Sequence, residues 1–246
     1  MGEVNQQRYV VNAGMEDVPH ISPEMIKARE ASTLPYMRDA RIRGIPALGA
    51  GAVWPVPLAD VMVDPFELPD HWPRVYALDV GWNRTAVVWG AYDKGIDVLY
   101  LYTEHYRGRA EPSNHAAAIK ARGSWIPGVI DPAARGRTQD AGHQLYADYE
   151  EQGLNIIAAN NSHDVGIYAV WERLTTGRLK VFRTMVNWRN EYVKYRFDEK
   201  GHLVKKDDHL MDTTRYIVVS GIDIAKVKPA KRQSLGSGIA DESVGY

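Results

Sequence analysis

Between Arg74 and Val219 the sequence alternates short apolar runs with stretches of helical periodicity. Val75-Tyr-Ala-Leu-Asp-Val80 is an apolar run of strand length carrying one carboxylate. Thr85–Tyr92 and Ile96–Tyr102 read as strands on either side of the turn signal Asp93-Lys-Gly95, which makes an antiparallel meander. Strands and helices then alternate. Ala110–Arg122 has helical character, and Gly128-Val-Ile is a short strand that stops at Asp131-Pro132. A helix around Ala141–Gln152 ends at Gly153, and Leu154–Ala158 is the next strand. Asp164–Thr176 is a helix closed by Gly177, followed by the strand Leu179–Phe182. Tyr195–Val204 reads as a hairpin around Glu199-Lys-Gly201, and Asp208–Val219 as the last helix. Three strands followed by strand–helix alternation predict an α/β fold, a mixed β-sheet flanked by helices on both faces.

The ends read differently. Residues 1–70 look like an extension or linker, with a helix start at Ser22-Pro23, a second helix near Tyr36–Arg43, and an irregular segment punctuated by Pro55, Pro57, Pro65 and Pro69. Residues 71–221 form the domain. Residues 222–246 form a basic, mobile tail that carries Lys226-Val-Lys-Pro-Ala-Lys-Arg232.

Composition narrows the chemistry. Cysteine is absent, so a metal would be held by oxygen or imidazole. A formal net charge of −1 does not announce a nucleic-acid binder, yet an acidic metal site can cancel basic patches in the sum. No apolar run approaches membrane-spanning length and no signal peptide opens the chain, which reads as cytosolic.

Asp79 lies inside an apolar strand, where a buried carboxylate shifts its pKa or finds a cation. Asp131 repeats the pattern at the end of a second strand, and ligands in open α/β sheets gather beyond strand carboxyl ends. Asp208 and Asp212 stand four residues apart, hence on one helix face, with His209 three before Asp212. Each residue also has a bland explanation: a turn at Asp131-Pro132, a helix cap at Asp207 or Asp208, an Asp212–Arg215 pair, a surface histidine. Together, the carboxylates on two strands and a helix make an oxygen-rich set suited to two Mg²⁺ or Mn²⁺ ions, which can activate water and stabilise the leaving oxygen of a phosphodiester. Arg84, Arg135, Arg137, Lys205 and Lys206 surround the acids in sequence and would supply phosphate contacts to double-stranded DNA.

Three blocks resemble the nuclease domain of large terminase subunits from tailed bacteriophages. They are Ala77-Leu-Asp79-Val-Gly-Trp-Asn-Arg-Thr85-Ala86, Val129-Ile-Asp131-Pro-Ala-Ala, and Lys206-Asp-Asp-His209-Leu-Met-Asp212-Thr-Thr-Arg-Tyr216. The resemblance implies a ribonuclease-H-like fold and an endonuclease that cuts concatemeric viral DNA during packaging. It makes Asp79 the first acid, Asp131 the second, and Asp212 with Asp208 or His209 the third position. It also implies an ATPase motor, a small terminase subunit and the portal of the procapsid as partners, in the host bacterial cytoplasm, with the isolated domain monomeric. No Gly-x-x-x-x-Gly-Lys-Ser/Thr phosphate loop is present, so the chain reads as a domain excised from its motor. Other ribonuclease-H-like nucleases, such as Holliday-junction resolvases, share the mechanism. An actin-like kinase would need further phosphate loops, and a pure docking module has no use for mutually repelling carboxylates.

Overall fold

The computed structural model describes residues 13–33, 38, 42–43, 51–135 and 145–230. Seven strands are present among them: β1 Met62–Val63, β2 Arg74–Asp79, β3 Thr85–Asp93, β4 Val98–Arg107, β5 Gly128–Ile130, β6 Ile156–Ala158 and β7 Leu179–Phe182. They form one mixed sheet in the order β1-β7-β4-β3-β2-β5-β6. The β2–β3–β4 meander is antiparallel as expected, while β5 and β6 continue parallel to β2 on one side and β7 and β1 parallel to β4 on the other.

The helices are α1 Pro23–Ser32, α2 Leu58–Val61, α3 Pro112–Lys120, α4 Leu145–Glu151, α5 His163–Thr175, α6 Val186–Tyr192 and α7 His209–Tyr216. A π-helical turn, Ile217–Gly221, and the short Ile222–Ile224 carry the chain on from α7. Alternation along β2 divides the core in two. Val75 and Ala77 pack with residues of α5, α6 and α7, whereas Tyr76 and Leu78 pack with α3, α4 and β6. Both faces are covered, which is why β2 and β3 read as near-continuous apolar runs. β5 begins with glycine because a Cβ at Gly128 would run into the Tyr76 ring on the neighbouring strand.

Several elements depart from the sequence reading. Residues 51–63 are woven into the domain: Val53, Trp54, Val61 and Met62 are buried in the same core as the sheet, and β1 pairs with β7. The Trp54 indole donates to the Ile167 carbonyl at 3.0 Å, and the Tyr192 hydroxyl donates to the Val56 carbonyl at 2.9 Å. At the other end, Ile222 and Ile224 pack on the core and Lys226 bonds with the Arg74 backbone, so order extends into the stretch read as tail. The Tyr195–Val204 hairpin reduces to one bridge, Phe197 to Leu203, with the Asp198 carboxylate organising the turn. Helix α6 went unread, because its buried stripe of Trp188, Glu191 and Tyr192 contains a carboxylate. The Ser22 cap holds, with its hydroxyl accepting from the Met25 amide. The helix expected near Tyr36–Arg43 lies largely outside the described residues.

Candidate active site

Strand register and side-chain phase bring the first two acids together. β5 runs parallel to β2 with Leu78 opposite Ile130, so Asp79 and Asp131 are the next residues off the same ends. The Asp131 amide donates to the Leu78 carbonyl at 3.0 Å, holding the two strand exits side by side. Asp79 is in phase with Ala77, and Asp131 with Val129; both of those face the α7 side of the sheet. Asp131 also organises its own turn, its carboxylate accepting from the Ala133 amide at 3.0 Å.

Helix α7 supplies the remaining acids, and its position is fixed by buried polar contacts. Leu210, Met211, Thr213, Thr214, Arg215 and Tyr216 are all buried where the helix packs on the sheet and its neighbouring helices. The Trp188 indole of α6 donates to the Thr214 hydroxyl at 2.9 Å. The N-terminus is held from α6 as well. The Glu191 carboxylate, 3% exposed, accepts from the Leu210 amide and from the Tyr106 hydroxyl, each at 2.6 Å. Asp208 sits at the cap position but makes no side-chain capping bond. Glu191 therefore does what the sequence assigned to Asp207 or Asp208. Nothing in the local sequence marks it, since its partners are 85 and 19 residues away.

The electrostatics are those of crowded acids in a low-dielectric edge. Burial pushes the Asp79 carboxyl above its ordinary range. A hydrogen bond from His209 opposes this, and the charges of Asp212 and Asp131 add to it. His209 Nδ1 stands 2.7 Å from Asp79 Oδ2, and that hydrogen bond raises the imidazole above its ordinary value. A surface role for His209 is thereby replaced by a direct contact with the first acid. Burial raises Asp208 too, with Asp212 adding to the shift, and its Oδ2 is buried without a hydrogen-bond partner. Asp212 gives Oδ1 to the buried Arg215 guanidinium at 2.6 Å. The Asp212–Arg215 pair expected from i,i+3 spacing is present, and it turns the other oxygen of Asp212 toward Lys205.

The basic residues divide. The Lys205 ammonium lies 3.8 Å from both Asp208 Oδ2 and Asp212 Oδ2 and 3.2 Å from His163 Nε2, so it neutralises the cluster from within. Arg84 lies over the Tyr106 ring at 4.3 Å. Lys206 is exposed. Arg135 ends a short 3-10 turn, and Arg137 lies outside the described residues. The structure adds two arginines that the sequence reading passed over, Arg107 and Arg109. They are exposed beside the Trp82–Arg84 loop, and the Arg109 amide donates to the Trp82 carbonyl at 2.7 Å.

A mixed sheet that gathers carboxylates at the exits of two adjacent parallel strands, faced by an acid-bearing helix, defines a class of ribonuclease-H-like proteins. The chain belongs to the terminase RNaseH-like domain family, which it matches over residues 77–220. The large terminase subunit of Salmonella phage P22 is 30% identical over an alignment of 222 residues that covers 86% of this chain and 44% of that protein. The chain thus spans a little under half the length of the relative it matches. Among solved structures, the nuclease domain of the P22 large terminase superposes with a TM-score of 0.67 at 28% identity, covering 74% of this chain and 97% of that one. The nuclease domain of the bacteriophage SPP1 large terminase, solved with bound Mn, shares the fold at 19% identity and a TM-score of 0.51, over 68% of this chain and 99% of that one.

Proposed function

We propose that this chain is a divalent-metal-dependent DNA endonuclease, the cutting domain of a viral packaging terminase. The observation that carries the reading is the convergence of Asp79, Asp131 and Asp212 at one sheet edge, with Asp208 presenting beside them a buried oxygen that accepts no hydrogen bond. Buried acids that repel one another are costly to fold around, and a divalent cation would relieve them further than Lys205, Arg215 and His209 do.

The donor chemistry fits Mg²⁺ or Mn²⁺, since every candidate atom is a hard oxygen. As the side chains stand, no three of the described Asp, Glu or His residues converge on one coordination sphere. His209 holds one oxygen of Asp79, and Arg215 holds one of Asp212. Asp79, Asp131 and Asp212 would hold the metal through their remaining oxygens, with Asp208 a further candidate ligand. One or two such ions would polarise the scissile phosphate and activate the attacking water. Arg215 keeps Asp212 oriented, and His209 keeps Asp79 oriented while holding a proton on Nδ1 at the edge of the site. Arg84, Arg135, Arg137 and Lys206 are assigned phosphate contacts along the duplex, with Lys205 poised between that role and its carboxylates.

The substrate is taken to be concatemeric double-stranded viral DNA. The ATPase motor, the small terminase subunit and the procapsid portal are the partners of the longer protein, working in the host cytoplasm. Residues 1–50 are assigned to the link with that motor. Supercoiled plasmid tests the activity: the chain should nick and linearise it with Mn²⁺ or Mg²⁺ and stop when the ion is chelated. Ca²⁺ should support binding without turnover. Cleavage undiminished in chelator would sink the metal-dependent reading.

A further inference from the structure

On the reading that the acid edge binds a DNA duplex, we propose that the groove beside Trp82 receives a nucleobase drawn out of that duplex next to the scissile phosphate. Trp82 is 62% exposed, the most open of the tryptophans, although its backbone is firmly held. The Arg109 amide donates to its carbonyl, the Thr85 hydroxyl donates to the Gly81 carbonyl at 3.1 Å, and Arg84 stacks on Tyr106. Gly108 packs so tightly on Asn83 that an added Cβ would run into the Asn83 carbonyl. An indole carried outward on a braced loop has surrendered burial without gaining freedom, which suits a stacking platform.

The indole borders a cleft of about 350 Å³. Val80, Ala110, Pro112, Leu145 and Tyr149 form its apolar wall. That size falls at the small end of the range for ligand pockets, roughly 300–1,000 Å³. Val80 directly follows Asp79 at the end of β2 and packs with the α3–α4 core, so the cleft lies at the same strand end as the first acid but on the opposite face of the sheet. Charge selects the occupant. The Glu111 carboxylate stands at the cleft, which disfavours a phosphate there and suits the amino group of a base. Arg84 on the Trp82 loop, Arg107 at the end of β4 and Arg109 just beyond it lie where the backbone of the same strand would pass. A neutral ring with donor edges, tethered to an anionic backbone, answers both halves of that pattern. Drawing one base aside would also bend the backbone at its phosphate and expose it to the acid edge.

The test compares binding of an intact duplex with one holding a single central mismatch, whose bases open at lower cost. Asp79→Asn is the background so that no cutting occurs. The proposal predicts that the mismatched duplex binds about tenfold more tightly. Trp82→Ala should abolish this preference while Trp82→Phe retains it, and the salt slope should be the same in all three. Ala110→Leu, which fills the cleft and leaves Trp82 in place, should also abolish the preference. A preference that survives both Trp82→Ala and Ala110→Leu overturns the inference. So does a Trp82→Ala variant whose only change is a shallower salt slope, because Trp82 would then merely support phosphate contacts. Tight binding with no mismatch preference in any variant defeats this inference alone, whereas absence of any DNA binding defeats the nuclease reading on which it rests.

Discussion

At the scale of single residues, Asp79 combines the two properties that the site needs. Its position at the end of β2 is fixed by six register pairs with β3, so it cannot move away from Asp131. Burial and its acidic neighbours hold its carboxyl above the ordinary range, even against the His209 hydrogen bond. A group with a raised folded-state pKa adds stability that is complete below its unfolded value, about 4 for Asp, and is lost as pH rises through the folded value. The metal-free protein should therefore lose stability above that window, and the raised pKa of His209 adds a second loss above about 6.5. Asp79→Asn keeps an oxygen for the His209 Nδ1–H and removes the charge. In chelator its melting temperature should exceed that of the wild type at neutral pH, and the gap should close toward pH 4, as thermal scans across pH would record. A gap that widens on acidification would contradict the charge account. Asp79 and Asp131 were legible in the sequence because a carboxylate at the end of an apolar run is locally conspicuous. His209 was legible as a candidate beside Asp212, but its contact with Asp79 was not, because that partner lies 130 residues away.

Among elements, α7 and its supports decide whether the acids face one another. α7 is only eight residues long and polar on the exposed side, so it depends on tertiary contacts for its place. Glu191 provides the most concentrated of these. Replacing it with alanine strands two buried donors, the Leu210 amide and the Tyr106 hydroxyl, at a cost of roughly 1–3 kcal/mol each. Urea denaturation of Glu191→Ala should show a lowered midpoint with an unchanged slope, and Glu191→Gln, which retains one acceptor, a smaller loss. A midpoint unchanged in the alanine variant would mean that the start of α7 is held by packing alone. The strands were readable because apolar runs, turns and glycine stops are local signals. Helix α6 and the placement of residues 51–63 were not. An acid on a buried stripe and a proline-punctuated segment are both explained only by partners distant in the chain, such as Ile167 for Trp54 and Leu210 for Glu191.

At the scale of the whole molecule, the fold turns one topological feature into a site. The chain leaves β2 sideways into β3, while β5 enters beside β2 from the opposite side, so two parallel strand ends open onto a common edge. Helix α7 crosses the α5–α6 face to close that edge with acids, and Trp82 with its cleft lies at the same strand end on the opposite face of the sheet. The near-neutral net charge conceals the division between an acidic centre and an arginine-bearing rim around Arg84, Arg107 and Arg109. No helix of the described residues is long and apolar enough to cross a membrane. Among the described residues, those within the 51–63 stretch and Ile222 and Ile224 pack on the core of the sheet, so that core draws on residues at both ends beyond the 71–221 span suggested by the hydrophobic pattern.

The central claim is that phosphodiester cleavage takes place at the joint exit of β2 and β5. Digestion of supercoiled plasmid with Mn²⁺ by wild type, Asp79→Asn and Asp131→Asn, each first shown to melt as a folded protein, tests it most directly. The account predicts nicked and linear product from the wild type and a loss of at least about a hundredfold in each variant, the scale expected when a residue acting directly in the reaction is removed. Near wild-type cleavage by folded Asp79→Asn would place the chemistry elsewhere on the molecule and contradict the account.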